Sequence, residues 1–569
     1  MGEAGRGGAW RFGLVAAALL GVLAYVQVSS IRQESQTWDE AIELAGGYRY
    51  LKTGEYRLQI EHPPLGKILV ALPLLLLDPS LPSENPSWGA EREAKYGAAF
   101  LYRNRVPADT LLFAGRLVSI LVTLSLGLVL ALWTRRAFGP ATALFALLLY
   151  CFDPNVIAQG RYTKPGLLLA FLVFLASITW AGYLERPRRA ALAATGIIFG
   201  LALSTKFSAL FLLPVFAGLY LVRWRQSGGA FSVRKFVGAH AVIAALGMTV
   251  LVAMYAPETK ALLPLTRSMR QAQEAVPSLR SRVEQSTLVG RTIAWTGARL
   301  GWRVHSLPVG VGYFAAYERQ GNEAYLLGMH SQQGWWYYFP LAFLFKTPVA
   351  TLLAMGLAVG RSLRARWREW RFPLWCMAVP LLAYLPLCLL THINTGLRHL
   401  LPAYPFLFVL ISAALVTRQW RGRNLALGVL ALLLMAESLS IYPHYTAFFN
   451  RLVGGPSNGP RYLVDSNLDW GQDLKKLKVY LDQQSIPKVC LSYFGTADPS
   501  YYGIVSEPLP DPQRAAANCV LAVSATTLQD MYVRKGTFAW LRQQKPTARV
   551  GYSIYVYDLR AQAGRGPIR

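Results

Sequence analysis

Three carboxylates follow the first apolar stretch of the chain. Asp39 and Glu40 are adjacent, and Glu61 begins the motif Glu61-His62-Pro63-Pro64-Leu65-Gly66-Lys67. A carboxylate in a partly dry pocket can take the proton from an attacking hydroxyl, while its neighbour orients the acceptor. Because neighbouring side chains on a helix diverge by about 100°, Asp39 and Glu40 are predicted to have different roles. The alternative is that both are acids favoured at a helix N-terminus after Thr37.

Two consecutive prolines make the second motif rigid. Pro63 and Pro64 fix an extended backbone and lift the side chains of Glu61 and His62 clear of any helix. Such rigidity suits preorganised polar groups, so we expect His62 to support a site and not to bind a metal. The alternative is an ordinary loop whose Lys67 snorkels to the lipid headgroups.

Several basic residues stand where predicted helices meet the outer surface. They are Arg161, Lys164, Lys206 and Arg398, and Lys346 in an apolar stretch joins them. Cations on this side run against the usual positive-inside distribution. They are expected where an anion is bound, and phosphate is the natural anion at this depth. The alternative is snorkelling to the phosphates of the outer leaflet.

The composition places these residues in a membrane protein. Hydrophobic residues make up 53% of the 569 residues and charged residues only 15%, which is too apolar a balance for a soluble protein of this length. The sequence therefore predicts a polytopic α-helical membrane protein with about eleven transmembrane helices. The candidate spans are Phe12–Val28, Leu111–Trp133, Ala141–Phe152, Leu167–Tyr183, Ala190–Leu203, Ala209–Val222, Val237–Tyr255, Trp336–Val359, Pro373–Leu390, Leu400–Val416 and Leu425–Ile441.

The distribution of Lys and Arg predicts the orientation in the membrane. Alternate connections are strongly basic, for example the one from Arg361 to Arg371, and such loops stay in the cytoplasm. The N-terminus is then cytoplasmic, with its span a retained signal anchor, and the tail is extracytoplasmic. The net charge of +28 follows from this topology and from contact with anionic membrane lipids. No nucleic-acid partner is expected.

Three segments are long enough to fold outside the bilayer. Residues 29–109 and 256–334 are extracytoplasmic loops of a transmembrane domain covering residues 1–442, and residues 443–569 form a small C-terminal α/β domain. The patterns predict helix formers over Glu40–Leu51, Met269–Gln285 and Asp473–Gln483, an interfacial helix over Ile68–Leu77, an aromatic belt in Gly334-Trp335-Trp336-Tyr337-Tyr338-Phe339, and strands over Lys488–Tyr493, Cys519–Val523 and Val550–Tyr557.

The five cysteines show no metal-binding spacing. Cys490 and Cys519 lie in the tail, where a disulfide and two free thiols are both open. In the tail motif from Asp465 to Asp473, Asp469 is interpreted as a helix cap, with closure over an acceptor as the alternative.

Outer carboxylates together with outer cations favour a reaction in which a hydroxyl attacks while a lipid-linked phosphate leaves. A polyprenyl phosphate is a good leaving group that needs charge stabilisation and little protonation. Glycosyl transfer fits this pattern. A transporter or flippase would instead be expected to carry charges near the midplane and internal repeats, and the sequence shows neither.

At these residues the sequence resembles the protein O-mannosyltransferase-like branch of the C-type membrane glycosyltransferases, which includes the aminoarabinose transferases of lipid A. The resemblance implies that Asp39 is the catalytic base, that Glu40 and Glu61 are pocket acids, and that inversion occurs at the anomeric carbon. The motifs that carry it are Asp39-Glu40, His62-Pro63-Pro64-Leu65-Gly66-Lys67, Thr205-Lys206-Phe207-Ser208-Ala209-Leu210, Gly334-Trp335-Trp336-Tyr337-Tyr338-Phe339-Pro340, Gly396-Leu397-Arg398-His399-Leu400-Leu401-Pro402 and the tail motif.

The resemblance also assigns the cations and marks one departure. Lys206 and Arg398 are implied as ligands of the lipid phosphate, with Arg161 and Lys346 as further candidates. His62, Lys67 and His399 are supporting residues. Relatives often carry an acid soon after the third span, where this chain has Lys164, so a divalent metal is possible but not supported, and no cofactor is assigned.

The sequence thus predicts an inverting glycosyltransferase of a bacterial plasma (inner) membrane. It would move a sugar, with mannose as a candidate, from a polyprenyl-phosphate donor to an extracytoplasmic hydroxyl. A protein Ser or Thr is the favoured acceptor, and a glycolipid or cell-envelope polysaccharide is the alternative. A transporter and an inactive assembly subunit remain as hypotheses of another class.

Overall fold

The computed structural model describes residues 3–56, 58–83, 90–229, 232–261, 306–363, 371–509 and 519–560. The predicted helix formers of Met269–Gln285 lie outside these residues. In chain order the helices are α1 Glu3–Ile31, α2 Glu40–Thr53, α3 Leu65–Ala71, α4 Leu74–Leu77, α5 Ala90–Tyr102, α6 Ala108–Phe138, α7 Pro140–Cys151, α8 Pro154–Gln159, α9 Gly166–Glu185, α10 Arg189–Leu203, α11 Leu212–Ser227, α12 Val233–Tyr255, α13 Ser306–Gln320, α14 Tyr338–Lys346, α15 Val349–Leu363, α16 Phe372–Leu390, α17 Tyr404–Val416, α18 Arg423–Ser440, α19 Leu474–Gln483 and α20 Ala525–Leu528.

The apolar helices confirm a multi-pass membrane protein. Among the described residues, 8 helices are long and apolar enough to cross a membrane, or 9 if one bent pair forms a single span. Two of the eleven predicted spans form shorter helices, with 12 residues in α7 and 15 residues in α10. Neither reaches the usual spanning length of about 20 residues.

The predicted span Trp336–Val359 is broken in the middle. Helices α14 and α15 meet at an angle of 114°. The break falls at Thr347, whose backbone is extended with φ −86° and ψ 133°. Pro348 follows, and a proline disfavours the helical conformation of the residue before it. This bend brings the end of α14 against the tail of the chain, since Asn450 N donates to the carbonyl of Phe345 at 2.9 Å.

The loop segment between α1 and α6 folds into short helices packed against one another. Helix α2 is formed as predicted and packs on α3 and α5. The predicted interfacial helix Ile68–Leu77 is divided into α3 and α4, because Pro73 cannot donate to the helical ladder. Gly47 of α2 lies directly against the carbonyl of Lys67 in α3. This close approach holds the segment of Asp39 beside the segment of Glu61.

The tail forms a small α/β domain, as predicted. Its strands are β3 Val489–Ser492, β4 Ser506–Pro508, β5 Val520–Ser524, β6 Ala548–Val550 and β7 Ile554–Tyr557, in the order β4-β3-β5-β7-β6. Strand β3 is parallel to β4 and β5, whereas β7 is antiparallel to β5 and β6. The predicted strand Val550–Tyr557 is therefore a hairpin. A separate two-stranded hairpin, β1 Ala324–Leu326 with β2 Met329–Ser331, precedes α14.

A disulfide joins Cys490 and Cys519 at the parallel pair β3 and β5. The sequence had left open whether these two cysteines are paired or free.

The aromatic belt is only partly formed as expected: Trp336 is exposed, whereas Tyr338 and Phe339 are buried. The tail also contacts the loop segment between α1 and α6. Backbone N–H groups of Ser35 and Trp38 donate to the carbonyls of Gln472 and Trp470, each at 2.9 Å. The division of the chain at residue 443 stays a prediction.

Gly47→Ala is expected to destabilise the protein, because the added methyl would meet the Lys67 carbonyl and the Ala71 side chain. Overpacking of this kind costs about 1–3 kcal/mol. The neighbouring Gly46→Ala is the matched control, since its methyl would lie 3.6 Å from the nearest atoms and alanine favours a helix. Thermal unfolding in detergent should show a lower midpoint for Gly47→Ala alone. Equal midpoints would contradict the close packing of α2 on α3.

Candidate active site

A cavity of about 830 Å³ lies between the loop segment that joins α1 to α6, the ends of several membrane helices and the tail. Six of the residues predicted from the sequence line it, and four do not. The cavity brings together Asp39, Glu61, His62, Lys206, Arg398 and His399.

Asp39 is the carboxylate held between two cations. Its Oδ2 lies 2.8 Å from Lys164 Nζ and 3.5 Å from Arg398 Nη1, and its side chain is 21% exposed. Burial alone would raise the pKa of Asp39, but Lys164 and Arg398 outweigh it and lower the pKa below the usual value. Asp39 precedes α2 without a side-chain capping bond. Its carboxylate therefore belongs to the cavity and does not cap the helix.

The side chain of Glu40 does not lie where the sequence predicted. Its carboxylate is fully buried, 2.6 Å from Arg116 Nη2, and Thr37 N donates to it at 2.9 Å. Burial would raise the pKa of Glu40, but Arg116 outweighs burial and lowers it. Glu40 does not line the cavity. Adjacent side chains do diverge, as predicted, but Glu40 anchors the loop and does not position a sugar.

Two predicted phosphate ligands, Arg161 and Lys346, also point elsewhere. Arg161 is fully buried, with Nη2 2.8 Å from Glu34 Oε1. Lys346 is buried and donates to the carbonyls of Thr446, at 3.0 Å, and Asn467. Buried charges need such partners, and neither side chain is part of the cavity wall. Both were assigned from their side of the membrane, which does not determine where a side chain points.

Lys67 likewise supports the backbone without reaching the cavity. Its ammonium donates to the carbonyls of Gln59 at 2.8 Å and His62 at 2.7 Å. Burial lowers the pKa of Lys67. The side chain is buried, not snorkelled, and it holds the turn that carries Glu61.

Lys206 is a cation that has no anionic partner among the described residues. It lines the cavity, and within the described ranges no ion pair or hydrogen bond of its ammonium is found. Burial, Arg398 and Lys164 lower the pKa of Lys206 to about 8. An unpaired, partly desolvated ammonium next to further cations is a strong site for an anion.

The two histidines flank this cation. Burial and the charge of Lys206 lower the pKa of His62 well below its usual value, so its ring is neutral. His62 Nδ1 lies 3.2 Å from the Glu61 carbonyl, and His399 Nε2 lies 3.3 Å from Thr395 Oγ1. Each ring can thus exchange a hydrogen bond with a bound polar group.

Sequence reasoning missed a second carboxyl beside Glu61. Glu93, from α5, also lines the cavity. Burial raises the pKa of Glu61, and burial with the charge of Glu61 raises that of Glu93. The cavity thus holds one ionised carboxylate, Asp39, and a pair of carboxyl groups, Glu61 and Glu93, that retains a proton. These acids therefore differ in their chemical roles.

Lys164, predicted among the anion-binding cations, pairs with carboxylates, and Arg116 is a further residue without a predicted role. Lys164 bridges Asp39 and Glu43, and its ammonium lies 2.9 Å from Glu43 Oε1. Where relatives often carry an acid, this chain therefore has a cation that pairs with two carboxylates. Arg116 lies within the apolar helix α6, and a charge inside such a helix is a signal for a buried partner.

In the described part of the chain, no group of three His, Cys, Asp or Glu side chains could hold a metal ion.

The tail motif forms part of the cavity wall. Asp465 and Trp470 line the cavity, and the Arg398 guanidinium lies 4.3 Å from the centre of the Trp470 ring. Asp469 does not cap α19. Its Oδ2 instead accepts from Thr526 N at 3.0 Å, at the start of α20. The prediction of a simple cap for α19 was therefore wrong.

The apolar helices define a multi-pass membrane protein. Residues 15–262 match the family model described as dolichyl-phosphate-mannose-protein mannosyltransferase. This match confirms, over that part of the chain, the resemblance that the motifs indicated. It covers Asp39, Glu61 and Lys206, and it ends before Arg398. No curated protein is similar enough to match this chain.

Three solved structures are similar to this chain. ArnT from Cupriavidus metallidurans bound to undecaprenyl phosphate is 13% identical over 95% of this chain and 97% of that chain, with a TM-score of 0.46. The S. cerevisiae Pmt1-Pmt2 complex bound to the sugar donor is 20% identical over 43% and 33%, with a TM-score of 0.33. The Archaeoglobus fulgidus oligosaccharyltransferase in complex with Zn and sulfate is 11% identical over 92% and 70%, with a TM-score of 0.44. These TM-scores are too low to establish a shared fold by themselves.

Anion binding to the cavity should weaken as Lys206 loses its proton. A long-chain alkyl phosphate is fully ionised above its second pKa of about 6, so its own charge stays constant from neutral to alkaline pH. The ammonium is present below pH about 8 and lost above it, so affinity should fall about tenfold per pH unit in the alkaline range. Lys206→Arg stays charged and should remove this dependence. Equal pH profiles for the two proteins would show that Lys206 does not bind the anion.

Proposed function

We propose that the cavity is the active site of an inverting glycosyltransferase that moves a sugar from a polyprenyl-phosphate donor to a hydroxyl acceptor. The observation that carries this proposal is the ammonium of Lys206, unpaired among the described residues, in the same cavity wall as the ionised Asp39. A cation without a counter-ion suits the donor phosphate, and a carboxylate suits the acceptor hydroxyl. The matching family description supports the same activity.

In the proposed reaction, Asp39 takes the proton of the acceptor hydroxyl while that oxygen attacks the anomeric carbon. The bond from this carbon to the phosphate oxygen breaks, and the phosphate leaves with the electron pair. Lys206 and Arg398 stabilise the charge on the leaving phosphate. Attack from the face opposite the phosphate inverts the anomeric configuration.

Arg398 links donor binding to the basicity of Asp39. It lies 3.5 Å from Asp39 Oδ2, and together with Lys164 it lowers the pKa of Asp39. A phosphate placed beside Lys206 competes for the Arg398 guanidinium. Since loss of a neighbouring cation raises the pKa of a carboxylate, Asp39 becomes a better base once donor is present.

The Glu61 and Glu93 pair is proposed to contact the donor sugar. Because burial favours the protonated form, the pair offers both a donor and an acceptor of hydrogen bonds to sugar hydroxyls. Mannose and a protein Ser or Thr hydroxyl are the first candidates for sugar and acceptor, from the family description. A glycan hydroxyl is the second candidate for the acceptor, because aromatic side chains form one wall of the cavity.

The proposed setting is the outer face of a bacterial inner membrane, with the N-terminus in the cytoplasm and the tail outside. Basic connections such as that containing Arg186, Arg188 and Arg189 support this orientation. The cavity then opens on the side where lipid-linked donors, and not nucleotide sugars, are the expected substrates.

Asp39→Asn should lose sugar transfer while keeping the donor. Removal of a general base typically costs about 10²–10⁴ in rate, whereas the amide keeps the shape of the side chain. Transfer can be measured with purified protein in nanodiscs, a labelled polyprenyl-phosphate sugar and delipidated cell-envelope acceptors. Donor retention is measured in the same samples by co-purified label.

Asp482→Asn is the matched control, because Asp482 is an exposed carboxylate in α19, away from the cavity wall. It should transfer as well as the unchanged protein. Full transfer by Asp39→Asn would remove Asp39 as the base. Absence of transfer from every polyprenyl-phosphate donor by the unchanged protein would contradict the proposed activity.

A further inference from the structure

The tail contributes an aromatic wall to the cavity. The rings of Trp38, Phe494 and Tyr532 stack in series: Trp38 on Phe494 with centroids 4.8 Å apart, and Phe494 on Tyr532 with centroids 5.3 Å apart and planes 4° from parallel. All three line the cavity. Phe494 is buried, whereas Trp38 and Tyr532 are 38% and 42% exposed. Two large rings thus remain accessible at the ends of a fixed stack.

The sheet explains how these rings come together. Phe494 follows β3, and Tyr532 follows β5 and the short helix α20. Strands β3 and β5 are parallel neighbours, so their carboxyl ends lie at the same edge, and Phe494 N donates to Ser524 Oγ at 3.0 Å. The carboxyl ends of parallel strands are where open α/β sheets bind ligands. That edge faces the cavity.

A polar pair stands beside the rings. Tyr532 Oη donates to Asp465 Oδ2 at 2.8 Å, and Asp465 also lines the cavity. Both residues have left-handed backbones, with φ 58° for Asp465 and φ 59° for Tyr532. Asp tolerates this conformation, but for a bulky aromatic residue it is rare and costs about 1–3 kcal/mol. Such strain is retained where a side chain must keep a particular position.

We propose that Trp38, Phe494, Tyr532 and Asp465 form an acceptor subsite for a carbohydrate ring. A sugar ring presents an apolar C–H face, which suits a flat aromatic surface, and hydroxyls at its edge, which suit a carboxylate and a phenol. The proposal rests on the proposed function, and it makes a glycan or glycolipid hydroxyl the acceptor at this site.

A protein acceptor fits the same wall less well. Peptides are commonly bound by adding a strand to a sheet edge. The outer strands of the described sheet are β4 and β6, and neither contributes a residue to the cavity wall among the residues that the structure describes. The backbone near Trp38 is already paired, since its N–H donates to the Trp470 carbonyl and its own carbonyl accepts from Thr496 Oγ1 at 2.7 Å.

The subsite can be tested by binding alone, without catalysis. The unchanged protein in nanodiscs, which avoid sugar-based detergents, is titrated with mannotriose, cellotriose, chitotriose and a Ser/Thr-rich peptide. Ligand-observed saturation-transfer NMR measures the affinity. We expect at least one trisaccharide to bind and the peptide not to compete with it. Peptide binding that displaces the trisaccharide, or peptide binding alone, would overturn a carbohydrate subsite in favour of a protein acceptor.

Variants locate the binding on the wall. Tyr532→Leu removes a ring and a hydrogen bond, and Asp465→Asn keeps the shape of its side chain; each should weaken trisaccharide binding about tenfold. Tyr501→Leu is the matched control, because Tyr501 is a 39% exposed tyrosine of the same domain outside the cavity wall. Equal loss in Tyr501→Leu, or none in the other two, would overturn the assignment. Because no donor is present, these outcomes are independent of whether sugar transfer is observed.

A second readout connects the subsite to the reaction. With labelled donor, Tyr532→Phe, which keeps the ring, and Tyr532→Leu should both retain donor in nanodiscs. Only the acceptor KM should rise, and more in Tyr532→Leu than in Tyr532→Phe. Loss of donor retention in both variants would place these residues at the donor and contradict the acceptor subsite.

Discussion

The arrangement of the cavity depends on the buried ion pair of Arg116 and Glu40. The connection between α1 and α2 has little regular structure, so its carbonyls are not paired in a helix or a sheet. Arg116 donates to the carbonyls of Ile31 at 3.2 Å, Glu34 at 3.3 Å and Ser35 at 2.7 Å, as well as to Glu40. Buried carbonyls need such donors. One guanidinium within α6 thus fixes the loop that ends in Asp39.

A second buried pair reinforces the first. Arg161 meets Glu34 in the same connection, and the Tyr162 hydroxyl donates to the other Glu34 oxygen at 2.8 Å. Removing one partner of a buried ion pair leaves an uncompensated charge and typically costs about 3–5 kcal/mol. The charges in this layer therefore hold the backbone, whereas the charges of Asp39 and Lys206 face the cavity.

The cations around the cavity differ in their partners. Lys164 and Arg398 lie against the carboxylates of Asp39 and Glu43. Lys164 is shared by both carboxylates and Arg398 contacts Asp39, which leaves the ammonium of Lys206 without a counter-ion among the described residues. A phosphate beside Lys206 would supply that counter-ion. Burial, together with the charges of Arg398 and Lys164, lowers the pKa of Lys206.

The sequence alone was sufficient to predict the class of fold and the residues next to a motif. It was not sufficient to predict the direction in which each side chain points. The apolar stretches, the short strands of the tail and the placement of Asp39, Glu61, Lys206 and Arg398 followed from local patterns. Arg161 and Lys346 do not line the cavity, because a charge pattern along the sequence does not determine the orientation of a side chain, which is set by packing against distant segments.

The residues that were missed share one property: their partners are remote in sequence. Arg116 and Glu40 are 76 positions apart in the chain, and Phe494 meets Trp38 through the fold of the tail. The charge of Arg116 inside an apolar helix signals a buried partner but does not say which residue it is, and the pairing of Phe494 with Trp38 leaves no local signal. Glu93 is similar, because only the packing of α5 on α2 brings it to Glu61's side of the cavity.

A structure with a polyprenyl-phosphate sugar bound would test the central claim most directly. It should place the phosphate against Lys206 and Arg398, with the Arg398 guanidinium displaced from Asp39 and the anomeric carbon facing the Asp39 carboxylate. A phosphate bound elsewhere, with the pair of Arg398 and Asp39 intact, would contradict the account.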